Sequence, residues 1–115
     1  MMPVTSPQSD VERFINDMRA GINAGKAILI PRGKNMKTLA RLGLLPKDAI
    51  QEAMNLSFAN YICGPEIDND FPQTDKLWIF KTMIDSSCIY IKVKVEYQDN
   101  GKVKFLSFHF DEPVH

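Results

Sequence analysis

The sequence predicts an α+β domain of two layers, with N-terminal helices packed on a twisted antiparallel sheet. Three observations carry this reading. Val11, Phe14, Ile15, Met18 and Ile22 recur at helical spacing on one stripe. Residues 88–98 alternate, with Ile89, Ile91, Val93 and Val95 on one face and Tyr90, Lys92, Lys94 and Glu96 on the other. The dipeptide Asn100-Gly101 follows, and both of its residues accept the positive φ that a two-residue hairpin turn requires.

Taken in order, residues 1–8 show no periodicity and are expected to form a disordered tail. Ser9 or Asp10 is expected to cap the first helix, and Gly25 to end it. The apolar run of residues 27–30 reads as an edge strand or buried coil before Pro31. Residues 31–35 read as a basic loop, with Asn35 capping a short helix that turns Met36, Leu39 and Ala40 inward until Gly43 breaks it. Pro46 suits the first turn of a third helix reaching about Leu56, and Ser57 starts a last helical turn to Tyr61. Gly64-Pro65 stops helix, and the acidic, aperiodic stretch 66–75 reads as an exposed loop. Three strands complete the chain: one containing Trp78 and Phe80, in which Trp78 is expected to be core, one through residues 88–98, and one through residues 102–112.

A two-residue turn would fix the register. It pairs Asp99 with Lys102, Ile91 with Phe110, Val93 with Phe108 and Val95 with Leu106. The polar face then pairs Tyr90 with Asp111, Lys92 with His109 and Lys94 with Ser107, with Phe105 as the one misfit.

The chain has 115 residues, 44% of them hydrophobic, which suits a single domain that needs neither disulfide nor metal to fold. Fourteen basic and fourteen acidic residues cancel, so attraction to phosphate has to come from a local patch. Two cysteines, Cys63 and Cys88, and two histidines offer no zinc-finger spacing. With no signal peptide evident, the cysteines are expected to be reduced thiols in the cytoplasm. No apolar run approaches a membrane span.

The polar hairpin face carries the candidate chemistry. His109 and Tyr90 transfer protons and Lys92 stabilises charge, a set suited to cleaving a phosphodiester. Lys94, Arg32 and Lys34 are the expected phosphate contacts. The plain alternative is that lysines and glutamates alternate on the wet face of a sheet for solubility.

A family resemblance sharpens this. The pieces N-L-S-F-A-N-Y-I-C-G-P-E-I-D, L-W-I-F, I-Y-I-K-V-K-V and L-S-F-H occur in this order, after L-I-P-R-G-K-N-M-K-T-L-A-R-L-G-L-L-P-K-D-A-I. Together, over residues 11–112, they resemble the MqsR (motility quorum-sensing regulator) family of bacterial type II toxins. The resemblance implies a RelE-like fold, a metal-independent mRNA interferase that arrests growth, and a cognate antitoxin. It implies catalytic roles for Tyr90, Lys92 and His109 and no cofactor, with mRNA, free or on the ribosome, as substrate. The chain departs from the best-studied branch at His109, where that branch has Lys, at Ile79, where it has Gln, and at Ile62, where it has Lys. The competing reading is a non-catalytic module, cystatin-like or a degenerate toxin fold, that binds protein or RNA.

Overall fold

The computed structural model describes residues 3–111. Helices α1 (Gln8–Asn23), α2 (Gly33–Leu42) and α3 (Pro46–Ala53) pack on a five-stranded sheet of β1 (Ala27–Leu29), β2 (Tyr61–Glu66), β3 (Leu77–Ile84), β4 (Ser87–Glu96) and β5 (Lys102–Phe110). The strand order is β1-β5-β4-β3-β2. The helices-on-sheet architecture is the one expected, but β1 runs parallel to β5, so the sheet is mixed rather than wholly antiparallel. Residues 112–115, including the expected end of the last strand, and Met1 and Met2 lie outside the described residues.

Helix α1 buries its predicted stripe against the sheet. Val11, Phe14, Ile15, Met18 and Ile22 join Phe80, Ile89, Ile91, Val93, Val95, Val103, Phe105 and Phe108 in one core. Trp78 is half-buried on this face and stacks on Phe14, with ring centroids 4.8 Å apart. The helix begins at Gln8 without a side-chain cap, so neither Ser9 nor Asp10 caps it. The preceding residues are not a free tail. The Gly64 N–H donates to Val4 O at 2.8 Å, and the Ser6 N–H donates to Tyr61 Oη at 3.0 Å.

Strand β2 was not expected, because Gly64-Pro65 reads as punctuation. An edge strand tolerates both residues: a proline lacks only a donor that need not join the ladder. Gly64 has φ 123°, and a Cβ there would sit 2.9 Å from Leu77 O, so only glycine permits this approach to β3. Helix α3 ends at Ala53 rather than near Leu56. Arg19 donates to the carbonyls of Met54 at 3.1 Å and Leu56 at 2.7 Å, satisfying acceptors that the helix leaves open.

The hairpin differs from the expected register for a physical reason. Asn100 and Gly101 do have positive φ, 58° and 72°, but Glu96 pairs with Lys102 across a longer loop, residues 97–101. Val93 therefore faces Phe105. A bulge between Phe105 and Ser107 then resets the alternation, so that Ile91 faces Phe108 and Tyr90 faces His109. The bulge resolves the misfit: Phe105 turns inward at 1% exposure, and Leu106 leaves the core cluster for the opposite face.

Helix α2 closes the edge of β5 where β1 stops. Asn35 is not its cap. It lies inside the helix, fully buried, and its side-chain amide takes the place of a neighbouring strand. Its Oδ1 accepts from Phe108 N at 2.9 Å, while Nδ2 donates to Leu106 O at 3.1 Å and Ile30 O at 2.8 Å. Thr38 Oγ1 accepts from Phe110 N at 3.2 Å. Met36 and Ala40, both expected inward, are exposed because the Asn35–Thr38–Leu39 side of the helix faces the sheet. Asn35→Ala would strand buried backbone groups on β5 and is expected to cost about 2–3 kcal/mol in denaturant unfolding. A loss below about 0.5 kcal/mol would show that water replaces the amide.

Candidate functional site

The register places two of the expected catalytic residues directly opposite one another. Tyr90 on β4 and His109 on β5 are cross-strand partners on the face away from α1, and their rings stack with centroids 5.4 Å apart and planes 20° from parallel. The expected pairing of Lys92 with His109 is replaced: Lys92 faces Ser107, and its ammonium stands 6.0 Å from the centre of the Tyr90 ring.

The hydrogen bonding of His109 selects the atom available for chemistry. Its Nδ1 lies 3.1 Å from Phe110 O. A carbonyl can only accept, so Nδ1 carries the proton in this contact and Nε2 is left as the base. Tyr90 is half-buried. Burial raises its pKa, and the nearby acidic groups of Glu66, Cys63 and Asp111 raise it further, so its hydroxyl stays protonated beyond the ordinary tyrosine range. The site therefore sets an imidazole whose Nε2 is not engaged by that contact beside a retained O–H donor.

Helix α2 supplies the facing wall. Lys34, Lys37 and Arg41 fall at i, i+3 and i+7, one ridge beside the buried stripe. Together with Thr38, Tyr90, His109, Phe110 and Asp111 they line a groove of about 700 Å³. The Arg41 guanidinium lies over the Phe110 ring, 4.9 Å from its centre. Asp111, the acidic residue in the lining, is held by Lys81 at 2.8 Å. Lys34, Lys37 and Arg41 have no carboxylate partner among the described residues, whereas Arg32, Lys81, Lys94, Lys102 and Lys104 each have at least one. Arg13, Arg19, Lys26, Lys47, Lys76 and Lys92 also lack a carboxylate partner among the described residues, but Lys34, Lys37 and Arg41 are the three that share one helix ridge along one groove.

Of the six residues expected at the site, Tyr90, His109 and Lys34 meet in this groove, and Lys92 stands beside Tyr90 outside its lining. Lys94 and Arg32 belong elsewhere. Lys94 is 3% exposed, and its ammonium binds Asp68 at 3.1 Å and Thr74 at 3.3 Å. It is a structural cation beneath the 67–76 connection, not an open phosphate contact. Arg32 and Lys94 line a second pocket, apart from this groove, together with Asp68, Asp70 and Glu96, and Arg32 reaches Asp70 at 3.9 Å. The connection expected to be wholly exposed therefore buries one carboxylate, Asp68. Its Oδ1 also accepts from Asp70 N at 3.1 Å and Phe71 N at 3.3 Å.

Arg41 and Phe110 were not recognised from sequence. The signal was present in the 34, 37, 41 spacing, but reading Asn35 as a cap left Lys34 outside the helix and hid the ridge. Of the positions that depart from the toxin pattern, Ile79 is buried opposite Lys92, and Ile62 is 44% exposed on β2. Among the described residues no three His, Cys, Asp or Glu side chains converge as metal ligands, and no helix is long and apolar enough to cross a membrane. Comparison with family models, curated proteins and solved structures returned no match.

Proposed function

We propose that this protein is an endoribonuclease toxin that cleaves single-stranded mRNA, free or on the ribosome, in the cytoplasm and without a metal ion. One observation supports the reading: a stacked Tyr90–His109 pair in a groove lined by Lys34, Lys37 and Arg41, which have no carboxylate partner among the described residues. His109 Nε2 takes the proton of a ribose 2′-hydroxyl, and the 2′-oxygen attacks the adjacent phosphorus. The bond from phosphorus to the 5′-oxygen breaks, and that oxygen receives a proton, with the Tyr90 hydroxyl placed as donor. Lys92 offsets charge on the phosphorane. The products are a 2′,3′-cyclic phosphate and a 5′-hydroxyl, and no water is consumed. The resemblance to MqsR toxins supports the same chemistry and adds a cognate antitoxin that covers the groove.

Induced expression tests the biological side. The parent chain should arrest growth with loss of mRNA, Tyr90→Phe and His109→Ala should not, and co-expression of an antitoxin encoded by an adjacent gene should restore growth and co-purify. A chain that is harmless when well expressed and folded would overturn the toxin reading. RNA binding without cleavage would instead favour the non-catalytic module.

A further inference from the structure

We infer that the α2 ridge of Lys34, Lys37 and Arg41 is a phosphate rail that holds a single RNA strand along the groove. Arg41 and Phe110 form the platform at its far end. The inference rests on the ribonuclease reading for its substrate and adds to it where, and by which residues, the strand is held.

The three cations lie along one line of the helix, spanning roughly 10 Å at 1.5 Å per residue. All three are exposed, and none is neutralised among the described residues, whereas the cations around the second pocket are matched by Asp68, Asp70 and Glu96. The groove lining also includes the Tyr90 and His109 rings, stacked on each other, and Phe110, which packs against the core and lies under the Arg41 guanidinium. A basic rail beside aromatic rings is the arrangement that binds single strands, because the rail follows the backbone while bases find π-faces. The attachment of α2 makes the rail rigid. Asn35 and Thr38 tie the helix to the backbone of β5 at Leu106, Phe108 and Phe110, on either side of His109. The phosphate-holding wall and the proton-transferring residue are thus fixed to one strand.

The test uses a fluorescent single-stranded oligonucleotide that is 2′-O-methylated throughout, so that it binds but cannot be cleaved. Its affinity for the full chain is measured across a salt series. Each phosphate contact with a single strand adds about 0.7 to the slope of log affinity against log salt. Replacing Lys34, Lys37 and Arg41 together by Gln should lower that slope by about 2 and weaken binding by on the order of 10²-fold near 0.1 M salt. Lys47→Gln, an exposed change on α3, should leave the slope unchanged. A triple variant that melts like the parent and keeps its slope overturns the rail, even if the parent cleaves RNA. A parent whose binding depends on α2 but which cuts no RNA keeps the rail and overturns the nuclease reading. His109→Ala should keep the parental slope, and a fall as large as that of the triple variant would move the phosphate site from α2 to the sheet.

Discussion

His109→Ala is expected to lower RNA cleavage by about 10²–10⁴-fold, the usual contribution of a positioned acid or base. The fold and the salt dependence of binding should be unchanged. The expectation follows from geometry: Nδ1 is engaged with Phe110 O, so Nε2 is left as the available base, and the Tyr90 ring stacks on the imidazole from one side. The loss should appear in kcat, because the residue acts on a proton in flight rather than on the bound strand. Tyr90→Phe keeps the stacked ring and removes only the hydroxyl, so it separates positioning from proton donation. If Tyr90 donates, this variant also loses rate. If it only orients His109, the variant retains most of it. Because burial holds the Tyr90 pKa above its ordinary value, ionisation of this residue should cause no loss of rate through neutral and mildly alkaline pH. Near-parental rates in both variants would remove the groove from the chemistry while leaving the fold untouched.

Asp68→Ala is expected to cost about 3–5 kcal/mol, because it leaves the buried Lys94 ammonium without its closest partner. Thr74 at 3.3 Å and Glu96 at 3.9 Å remain but cannot replace a carboxylate in direct contact. A loss of this size should lower the melting temperature by more than about 10 °C. Replacing both partners, as in Asp68→Leu with Lys94→Met, should recover much of the loss, since the penalty is an unmatched charge rather than a missing attraction. The ion pair also sets part of the acid sensitivity. Burial pushes the Asp68 pKa up, but the hydrogen bond and charge of Lys94, helped by the Phe71 and Asp70 N–H groups, outweigh it and leave the carboxyl below its ordinary value. Stabilisation from a lowered carboxylate pKa is complete above the unfolded value, about 3.9, and is lost as pH falls through the folded one. The parent should therefore lose stability in that acidic window, and Asp68→Asn should lose less of it. An Asp68→Ala variant that melts within a few degrees of the parent would show that Lys94 finds water.

The apolar layer was legible in the sequence because its signals are local. The α1 stripe, the β4 alternation and the positive φ of Asn100 and Gly101 each depend on a few neighbouring residues and stand as read, although that pair sits in a longer loop rather than in a two-residue turn. What was not legible depends on partners far along the chain. Phe105 hinted at a bulge by refusing the polar row, but only packing against α1 shows which of Phe105 and Leu106 turns inward. Asn35 looks like a cap because asparagine often is one; its actual partners, Leu106 and Phe108, lie some seventy positions away. Lys94 reads as a surface lysine by alternation, and only Asp68, arriving from a stretch without periodicity, buries it. The site was half visible for the same reason. Alternation puts Tyr90 and His109 on one face, but the expected register paired them with Asp111 and Lys92 instead of each other, and the ridge beside them requires knowing that α2 docks on the edge of β5.

The claim that this groove cleaves RNA through the 2′-hydroxyl is tested most directly by the ends it leaves. The purified chain would be incubated in EDTA with a defined single-stranded RNA, and the fragments weighed by mass spectrometry. The account predicts upstream fragments ending in 2′,3′-cyclic phosphate and downstream fragments beginning with 5′-hydroxyl, both absent with His109→Ala. Fragments carrying 3′-hydroxyl and 5′-phosphate, cleavage that appears only when Mg²⁺ is restored, or RNA left intact by folded protein would contradict it.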